Sequence, residues 1–193
     1  MRILALVFLA GLVVAQGPSR ADEPKTTPKR PVAPTSSTTP SLPQLRVAGN
    51  VYVGDLAPDF MLTSSRLKDV RLSEYRGNWV VLRFVSERRE LPLLEAEHAR
   101  LTELGLLLVG VCKDPPQALR ALAERSNVPF DVLADATGEV SAMYGLYDEA
   151  NARCRPGFLI LDRQGVVRLA LQGEVPAGDV VSLARFALTV RGF

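Results

Sequence analysis

The side chains best suited to covalent chemistry in this sequence are the thiols of Cys112 and Cys154, its only two cysteines. A cysteine thiolate is a nucleophile and a redox centre, and two thiols can also join as a disulfide. The chain has one histidine, His98, and therefore too few ligands for the usual Cys/His metal site. The sequence points to thiol chemistry or to none, and it predicts no metal and no cofactor.

The charge of the chain gives no indication of nucleic-acid binding. The formal net charge is only +2 and the basic residues are scattered, whereas a nucleic-acid surface concentrates them. Hydrophobic residues make up 47% of the chain, which is enough to build a core. We therefore expect a globular domain that binds no nucleic acid, and whose partner, if it has one, is an unidentified protein.

The first residues are typical of a secretory signal peptide. Arg2 precedes the apolar run "ILALVFLAGLVVA", which is shorter than the roughly 20 residues that span a bilayer. Small-residue cleavage patterns end at Ala15 and Ala21. We assign residues 1–21 to a signal peptide and expect export to the periplasm or the cell exterior, with no membrane span in the mature chain. The alternative is a signal that stays uncleaved and tethers the protein to the membrane.

Residues 22–46 are dominated by proline, threonine and serine, and they contain almost no large apolar residues. Such a segment cannot bury enough surface to offset the entropy lost on ordering. It is predicted to be a disordered linker, partly in the polyproline II conformation. The remaining residues, 47–193, form one domain.

Apolar patterns in residues 47–193 predict alternating strands and helices. The runs "NWVVLRF" and "LLLVGVC" are nearly continuous and indicate buried strands. Between them, "LPLLEAEHARLTELG" predicts a helix with Pro92 in its first turn and Gly105 at its C-terminal cap. A second helix follows, with Asp114 as its N-cap. Two strands around an Arg-Gln-Gly turn and a closing helix complete an α/β domain with a mixed sheet and helices on both faces.

Several short segments also follow an order typical of one protein family. "GDLAPDFML" precedes "VRLSEYRGNWVVLRF", and "LLLVGVCKD", "PFDVLAD", "YGLY" and "RPGFLILDRQGVV" come later. Together they resemble the thioredoxin-fold redoxins, specifically the alkyl hydroperoxide reductase/thiol-specific antioxidant (peroxiredoxin) group, over residues 54–190. The resemblance implies a thioredoxin-like α/β fold for residues 47–193, thiol peroxidase or oxidoreductase activity, and a homodimer as a candidate assembly.

The chain departs from this family at the reactive cysteine. Family members carry Pro, Thr and Cys at the corner after the central strand, where a helix end and an arginine lower the pKa of the thiol. Those positions here hold Ser86, Glu90 and Leu93. The Cys-x-x-Cys pattern of thioredoxin-like relatives would fall near Arg89 and Pro92 and is absent too. The family's arginine does have a match, because Arg155 precedes the later strand.

The family's fold places Cys112 and Cys154 on the same edge of the sheet, on either side of that corner. They would lie two strands apart, about 10 Å between backbones, whereas a disulfide needs Cα atoms about 4.4–6.8 Å apart. Three interpretations stay open. Cys112 packs in the core and Cys154 is an exposed free thiol; or the loop of Cys154 moves in and the two form a structural disulfide; or they are a displaced redox pair. Lys113, Arg153 and Arg155 would favour thiolates and support the redox pair.

The arginines of this region could also bind an anion. Arg88, Arg89 and Arg155 could converge on a helix N-terminus, which is a natural carboxylate or phosphate site. Alternatively, Glu87 and Glu90 neutralise them and the turn is merely charged and solvated.

Two main hypotheses follow for the function. The first is an exported, degenerate redoxin that acts as a binding or scaffold domain. The second is a thiol-disulfide oxidoreductase, or antioxidant enzyme, that works through Cys112 and Cys154. An anion-binding module at the arginines is a third.

Overall fold

The structure, a computed structural model, describes residues 50–189. The predicted signal peptide and linker lie outside these residues. The described part contains nine strands, four α-helices and two 3-10 helices: β1 (Met61–Ser64), β2 (Asp69–Arg71), the 3-10 helix Leu72–Tyr75, β3 (Trp79–Val85), the 3-10 helix Arg88–Leu94, α1 (Glu95–Glu103), β4 (Leu106–Cys112), α2 (Pro116–Ser126), β5 (Asp131–Ala134), α3 (Glu139–Met143), β6 (Tyr147–Asp148), β7 (Arg153–Cys154), β8 (Gly157–Leu161), β9 (Val167–Gln172) and α4 (Ala177–Thr189).

Seven strands form one mixed sheet in the order β2-β1-β5-β4-β3-β8-β9, and β6 and β7 form a separate hairpin. Strand β3 lies between β4 and β8. It runs parallel to β4, with Val85 opposite Cys112, and antiparallel to β8, with Phe84 opposite Gly157. This is the thioredoxin-like arrangement that the sequence predicted, so the fold class is confirmed.

Alternate residues of β3 enter two separate hydrophobic cores because successive side chains of a strand point to opposite faces. Val81 and Val85 pack beneath helices α1, α2 and α4; we call this side of the sheet the α1 face. Leu82 and Phe84 pack with α3 and the N-terminal entry of the domain; we call this side the α3 face. Helices therefore cover both faces, as predicted.

The helix expected to begin near Pro92 has a different start. The chain enters it through the 3-10 helix Arg88–Leu94, in which the side chain of Glu90 accepts a hydrogen bond from the amide of Glu87 at 2.9 Å. Regular α-helix begins only at Glu95. Pro92 therefore lies inside the 3-10 helix and not at the first position of an α-helix.

The predicted N-cap of the next helix is wrong by one residue. Pro115, with an extended backbone, precedes the first residue of α2, and Asp114 makes no capping bond. Its carboxylate contacts Arg88 and Cys112 instead. Among residues 50–189 no helix is both long enough and apolar enough to cross a membrane.

Candidate functional site

The corner after β3, residues 86–94, is built around an exposed leucine. Leu91 and Leu94 are buried and fasten the 3-10 helix to the α1 face. Leu93, which the resemblance places at the cysteine position, points outward with 74% of its surface exposed. Ser86 and Glu90, the other two family positions, are half-buried. A hydrocarbon side chain at the tip of the corner offers no nucleophile and no acid or base.

A short chain of polar contacts ties the corner to the end of β4. Arg88 Nη1 lies 2.7 Å from Asp114 Oδ1, and the Cys112 thiol donates to Asp114 Oδ2 at 3.3 Å. The carboxylate therefore accepts from a guanidinium on one side and from a thiol on the other. It holds the corner against the strand end and keeps the thiol in its protonated form.

Cys112 is buried in the core of the α1 face, with 1% of its surface exposed. Burial raises the pKa of its thiol well above the ordinary value, and the hydrogen bond to Asp114 and the charge of that carboxylate raise it further. Lys113, expected to favour a thiolate, lies over the Tyr147 ring, with Nζ 5.9 Å from the centroid. Desolvation and a neighbouring anion both favour the neutral thiol at Cys112, which weighs against the interpretation of the cysteines as a redox pair.

Cys154 is fully buried in the core of the α3 face, so the prediction that it is an exposed thiol is wrong. It belongs to the small β6–β7 hairpin, and its thiol donates to the carbonyl of Arg155 at 3.4 Å. Burial raises the pKa of the Cys154 thiol to about 12, although the neighbouring Ser141 hydroxyl opposes that shift. Successive side chains of a strand point to opposite sides, so Cys154 of β7 is buried and its neighbour Arg153 is exposed to solvent.

The two arginines beside Cys154 do not activate its thiol. Arg153 and Arg155 both extend towards Asp148 of β6, with nitrogen–oxygen distances of 4.0 and 3.9 Å. Their charges are thereby directed at an acidic partner on the hairpin surface. This geometry gives no support to the thiolate stabilisation that the sequence suggested for these arginines.

The sheet separates the two cysteines. Cys112 packs in the α1-face core and Cys154 in the α3-face core, and both are free thiols. The structural disulfide considered from the sequence is not formed. A redox pair needs its two sulfur atoms to meet, whereas these two thiols pack in different cores, although Cys154 is near enough to contribute to the raised pKa of Cys112.

The three arginines considered for anion binding have three different acidic partners. Arg88 pairs with Asp114 at 2.7 Å and Arg89 with Glu87 at 2.7 Å, while Arg155 reaches towards Asp148. Each guanidinium is thus at least partly neutralised before any ligand arrives. The geometry gives no support to a shared anion site, which stays a prediction.

One polar pair escaped the sequence analysis. Arg83 lies inside the run "NWVVLRF", which was interpreted as a buried apolar strand, and Glu97 lies in the amphipathic helix. Both are buried on the α1 face. Alternation along β3 could have revealed Arg83, because it falls between Val81 and Val85 on the inward-facing positions. No three potential metal ligands cluster anywhere in residues 50–189.

Comparison with known proteins agrees with this fold. The sequence profile of the AhpC/TSA family matches residues 53–170. The selenocysteine-containing peroxiredoxin PrxU of Peptoclostridium acidaminophilum is 32% identical over 150 residues, which cover 68% of this chain and 73% of the relative. The thiol-disulfide oxidoreductase ResA of Geobacillus kaustophilus is 28% identical over 136 residues, 67% of this chain and 75% of the relative.

The fold has counterparts among solved structures. The crystal structure of peroxidoxin BcpB from Mycobacterium tuberculosis superimposes with a TM-score of 0.64 and 22% identity, covering 74% of this chain and 99% of that one. At this identity the likeness concerns the fold alone. Together with the profile match over most of the described domain, it identifies the chain as a member of the AhpC/TSA family, with the peroxiredoxin type of thioredoxin-like fold.

Proposed function

We propose that this protein is an exported redoxin that has lost the peroxide chemistry of its family and works as a binding or scaffold domain. The observation that carries the proposal is the corner itself. The position that the family resemblance assigns to the reactive cysteine holds Leu93, whose side chain is exposed where a nucleophile would meet its substrate. The remaining side chains at the tip of the corner supply no thiol.

The thiols that the chain does have support the same proposal. Both are buried, both have a raised pKa, and the sheet lies between them. Reaction with peroxide requires a thiolate with access to solvent, and neither thiol meets either condition. The relatives named as peroxiredoxin and as thiol-disulfide oxidoreductase support the ancestry of the domain, and this chain's own residues support the change of role.

The rival function is a thiol-disulfide oxidoreductase that uses Cys112 and Cys154. Both residues lie towards the same edge of the sheet, since Cys112 ends β4 and Cys154 precedes β8. For this function the β6–β7 hairpin would have to leave the core and carry Cys154 around the strand ends. Such an opening would expose Tyr144 and Leu146, both fully buried, and we therefore rank this function second.

The deciding experiment is oxidation of the reduced, exported protein by a slight excess of hydrogen peroxide, followed by mass spectrometry. We expect oxidation no faster than that of free cysteine, with no turnover of peroxide. The Cys112→Ser and Cys154→Ser variants should be oxidised as slowly as the wild type. Rapid loss of two hydrogens, located at Cys112 and Cys154 and abolished in either variant, would establish the enzyme instead.

The scaffold role needs a test of its own. In cells that lack the protein, a variant with both cysteines replaced by serine should reverse the defect caused by the deletion as fully as the wild-type protein does. Leu93→Glu, which places a charge on the exposed tip of the corner without touching either core, tests whether the corner is the binding surface. Because replacing a buried thiol can itself destabilise a core, only loss of function in a cysteine variant with the wild-type Tm would exclude a purely scaffolding function.

A further inference from the structure

Two oppositely charged side chains lie inside the apolar core of the α1 face. Arg83 comes from β3 and Glu97 from α1, and they are 8% and 0% exposed. The Arg83 guanidinium carbon lies 5.8 Å from the centre of the Phe158 ring. Removing such groups from water is costly unless they are both paired and hydrogen-bonded.

The hydrogen bonds of this pair are incomplete within the protein. Arg83 Nη2 donates to the carbonyl of Val175 at 2.9 Å. The other two guanidinium nitrogens, Nε and Nη1, make no hydrogen bond to the protein. The two carboxylate oxygens of Glu97 make none either. Arginine cannot escape the cost by losing its proton at physiological pH, and buried polar groups in folded proteins are nearly always satisfied.

Arg83 and Glu97 act on each other by charge. No direct hydrogen bond joins them, yet the charge of Arg83 opposes the rise in the Glu97 pKa that burial causes. Glu90 of the corner and Glu174, just before α4, also act on Arg83 by charge. Both carboxylates are more exposed than Glu97, so among the three acids that act on Arg83 by charge only Glu97 is fully buried.

We propose that water occupies an internal site between Arg83 and Glu97 and joins the two side chains by hydrogen bonds. A polar gap with several unsatisfied donors and acceptors holds water, whereas an apolar cavity of the same size stays dry. A bridging water replaces a direct hydrogen bond at little enthalpic cost.

The location gives this site a structural role. It joins β3, helix α1 and, through Val175, the segment that leads into α4. Helix α1 continues directly from the corner segment. Hydrogen bonds through the proposed water would therefore attach the helix that supports the corner to the sheet. This inference does not depend on the proposed function, because it concerns the support of the corner and not its chemistry.

The direct test is a crystal structure of the wild-type protein at about 1.5 Å resolution, where ordered water is visible. We expect at least one water within hydrogen-bonding distance of Arg83 and of Glu97. Direct contact between the guanidinium and the carboxylate, with no water between them, would overturn the proposal. This measurement needs no variant to fold.

Two substitutions of Glu97 distinguish a hydrated site from a simple apolar one. Glu97→Gln keeps the shape and the hydrogen-bonding capacity and should retain the water. Glu97→Leu removes both and leaves Arg83 without an acceptor, so its Tm should fall below that of Glu97→Gln by more than about 5 °C. Adding Arg83→Met to Glu97→Leu removes the stranded charge and should recover most of that loss.

The matched control is Glu103, an exposed acid on the same helix. Glu103→Gln and Glu103→Leu should differ little in Tm, since water solvates that position in every variant. Equal Tm values for Glu97→Gln and Glu97→Leu would show that hydrogen bonding at this position contributes nothing, and the hydrated site would be excluded.

Discussion

Burial decides what each thiol of this protein can do. Cys112 and Cys154 are enclosed in separate cores and their thiols have raised pKa values, with that of Cys154 at about 12. At pH 8 we therefore expect almost no reaction of the native protein with a thiol reagent such as dithionitrobenzoate. Two thiols per chain should react once denaturant is added.

The chain offers a matched control for thiol reactivity. Leu93→Cys places a new thiol at a position that is 74% exposed, so one equivalent should react quickly while the two native cysteines do not. A native thiol that reacts as fast as this introduced one would show that a core opens readily, and would revive the oxidoreductase hypothesis.

Glu97 makes the stability of the domain depend on pH. Burial raises its pKa in the folded state, and Arg83 only partly opposes that shift. The folded protein therefore binds this proton more tightly than the unfolded chain does, so the stability from protonated Glu97 is fully present below the unfolded pKa. It is lost as pH rises through the folded pKa.

This sign gives a specific comparison with Glu97→Gln, which mimics the protonated carboxyl. Near pH 4 the two proteins should have similar free energies of unfolding, measured by urea titration. As pH rises from the unfolded to the folded pKa of Glu97, the wild type should fall progressively below the variant, and above the folded pKa the difference should stay constant. A wild type that gains on the variant as pH rises would mean that Arg83, and not burial, dominates the titration.

At the scale of elements, the short helix α3 depends on one buried carboxylate. Asp135 accepts hydrogen bonds from the amides of Val140 and Ser141, at 3.2 and 2.8 Å, and from the Ser141 hydroxyl at 2.7 Å. Asp135→Asn turns an amide group towards these donors and should lower the free energy of unfolding by about 2–3 kcal/mol. Ser141→Ala, which removes one donor, should cost about 1 kcal/mol. Equal losses in the two variants would contradict this assignment.

Strand β8 begins at a glycine because there is no room for a side chain. A Cβ at Gly157 would lie 2.8 Å from the Leu171 carbonyl oxygen and 2.9 Å from Leu146 Cδ2. Gly157→Ala should therefore reduce the free energy of unfolding by about 1–3 kcal/mol in a denaturant titration. Gly178 in α4 is the control, since a Cβ there meets nothing within 4 Å and alanine is the better helix former. A Gly157→Ala protein as stable as Gly178→Ala would refute the close packing.

The sequence predicted the elements well where one periodicity dominates. The continuous apolar runs predicted β3 and β4, and the amphipathic spacing predicted α4. It failed where tertiary contacts override local preference. Asp114 has the composition of an N-cap, yet Arg88 and Cys112 take its carboxylate. Cys154 lies in a polar loop, yet the hairpin turns it inward, and Arg83 was hidden in an apolar run.

At the scale of the whole molecule, fold and chemistry have separate requirements. The thioredoxin-like sheet needs its apolar strands, its two cores and the close packing at Gly157, and all of these are present. The family's reaction needs one thiolate at the corner, and the residue that the family resemblance places there is Leu93, whose side chain is exposed. A chain can lose the reactive thiol and keep the fold. Membership of the AhpC/TSA family is therefore compatible with the proposed loss of activity.

The same separation predicts where the folded domain begins. The composition of residues 22–46 predicts that they bury little apolar surface, whereas Val51 and Phe60 are part of the α3-face core. Brief trypsin treatment of the full chain should therefore cut after Lys25, Lys29 or Arg46 before it cuts within the domain. The fragment that begins at Val47 should resist further digestion.

Mass spectrometry of the digest and the Tm of the fragment test this boundary together. The fragment should melt within about 2 °C of the full chain, because a segment that buries no apolar surface contributes little to the free energy of unfolding. Arg66 is the internal reference, since its exposed side chain, paired with Asp131, lies in the turn between β1 and β2. Cleavage after Arg66 as early as after Arg46, or a much lower Tm for the fragment, would mean that residues 22–46 belong to the folded unit.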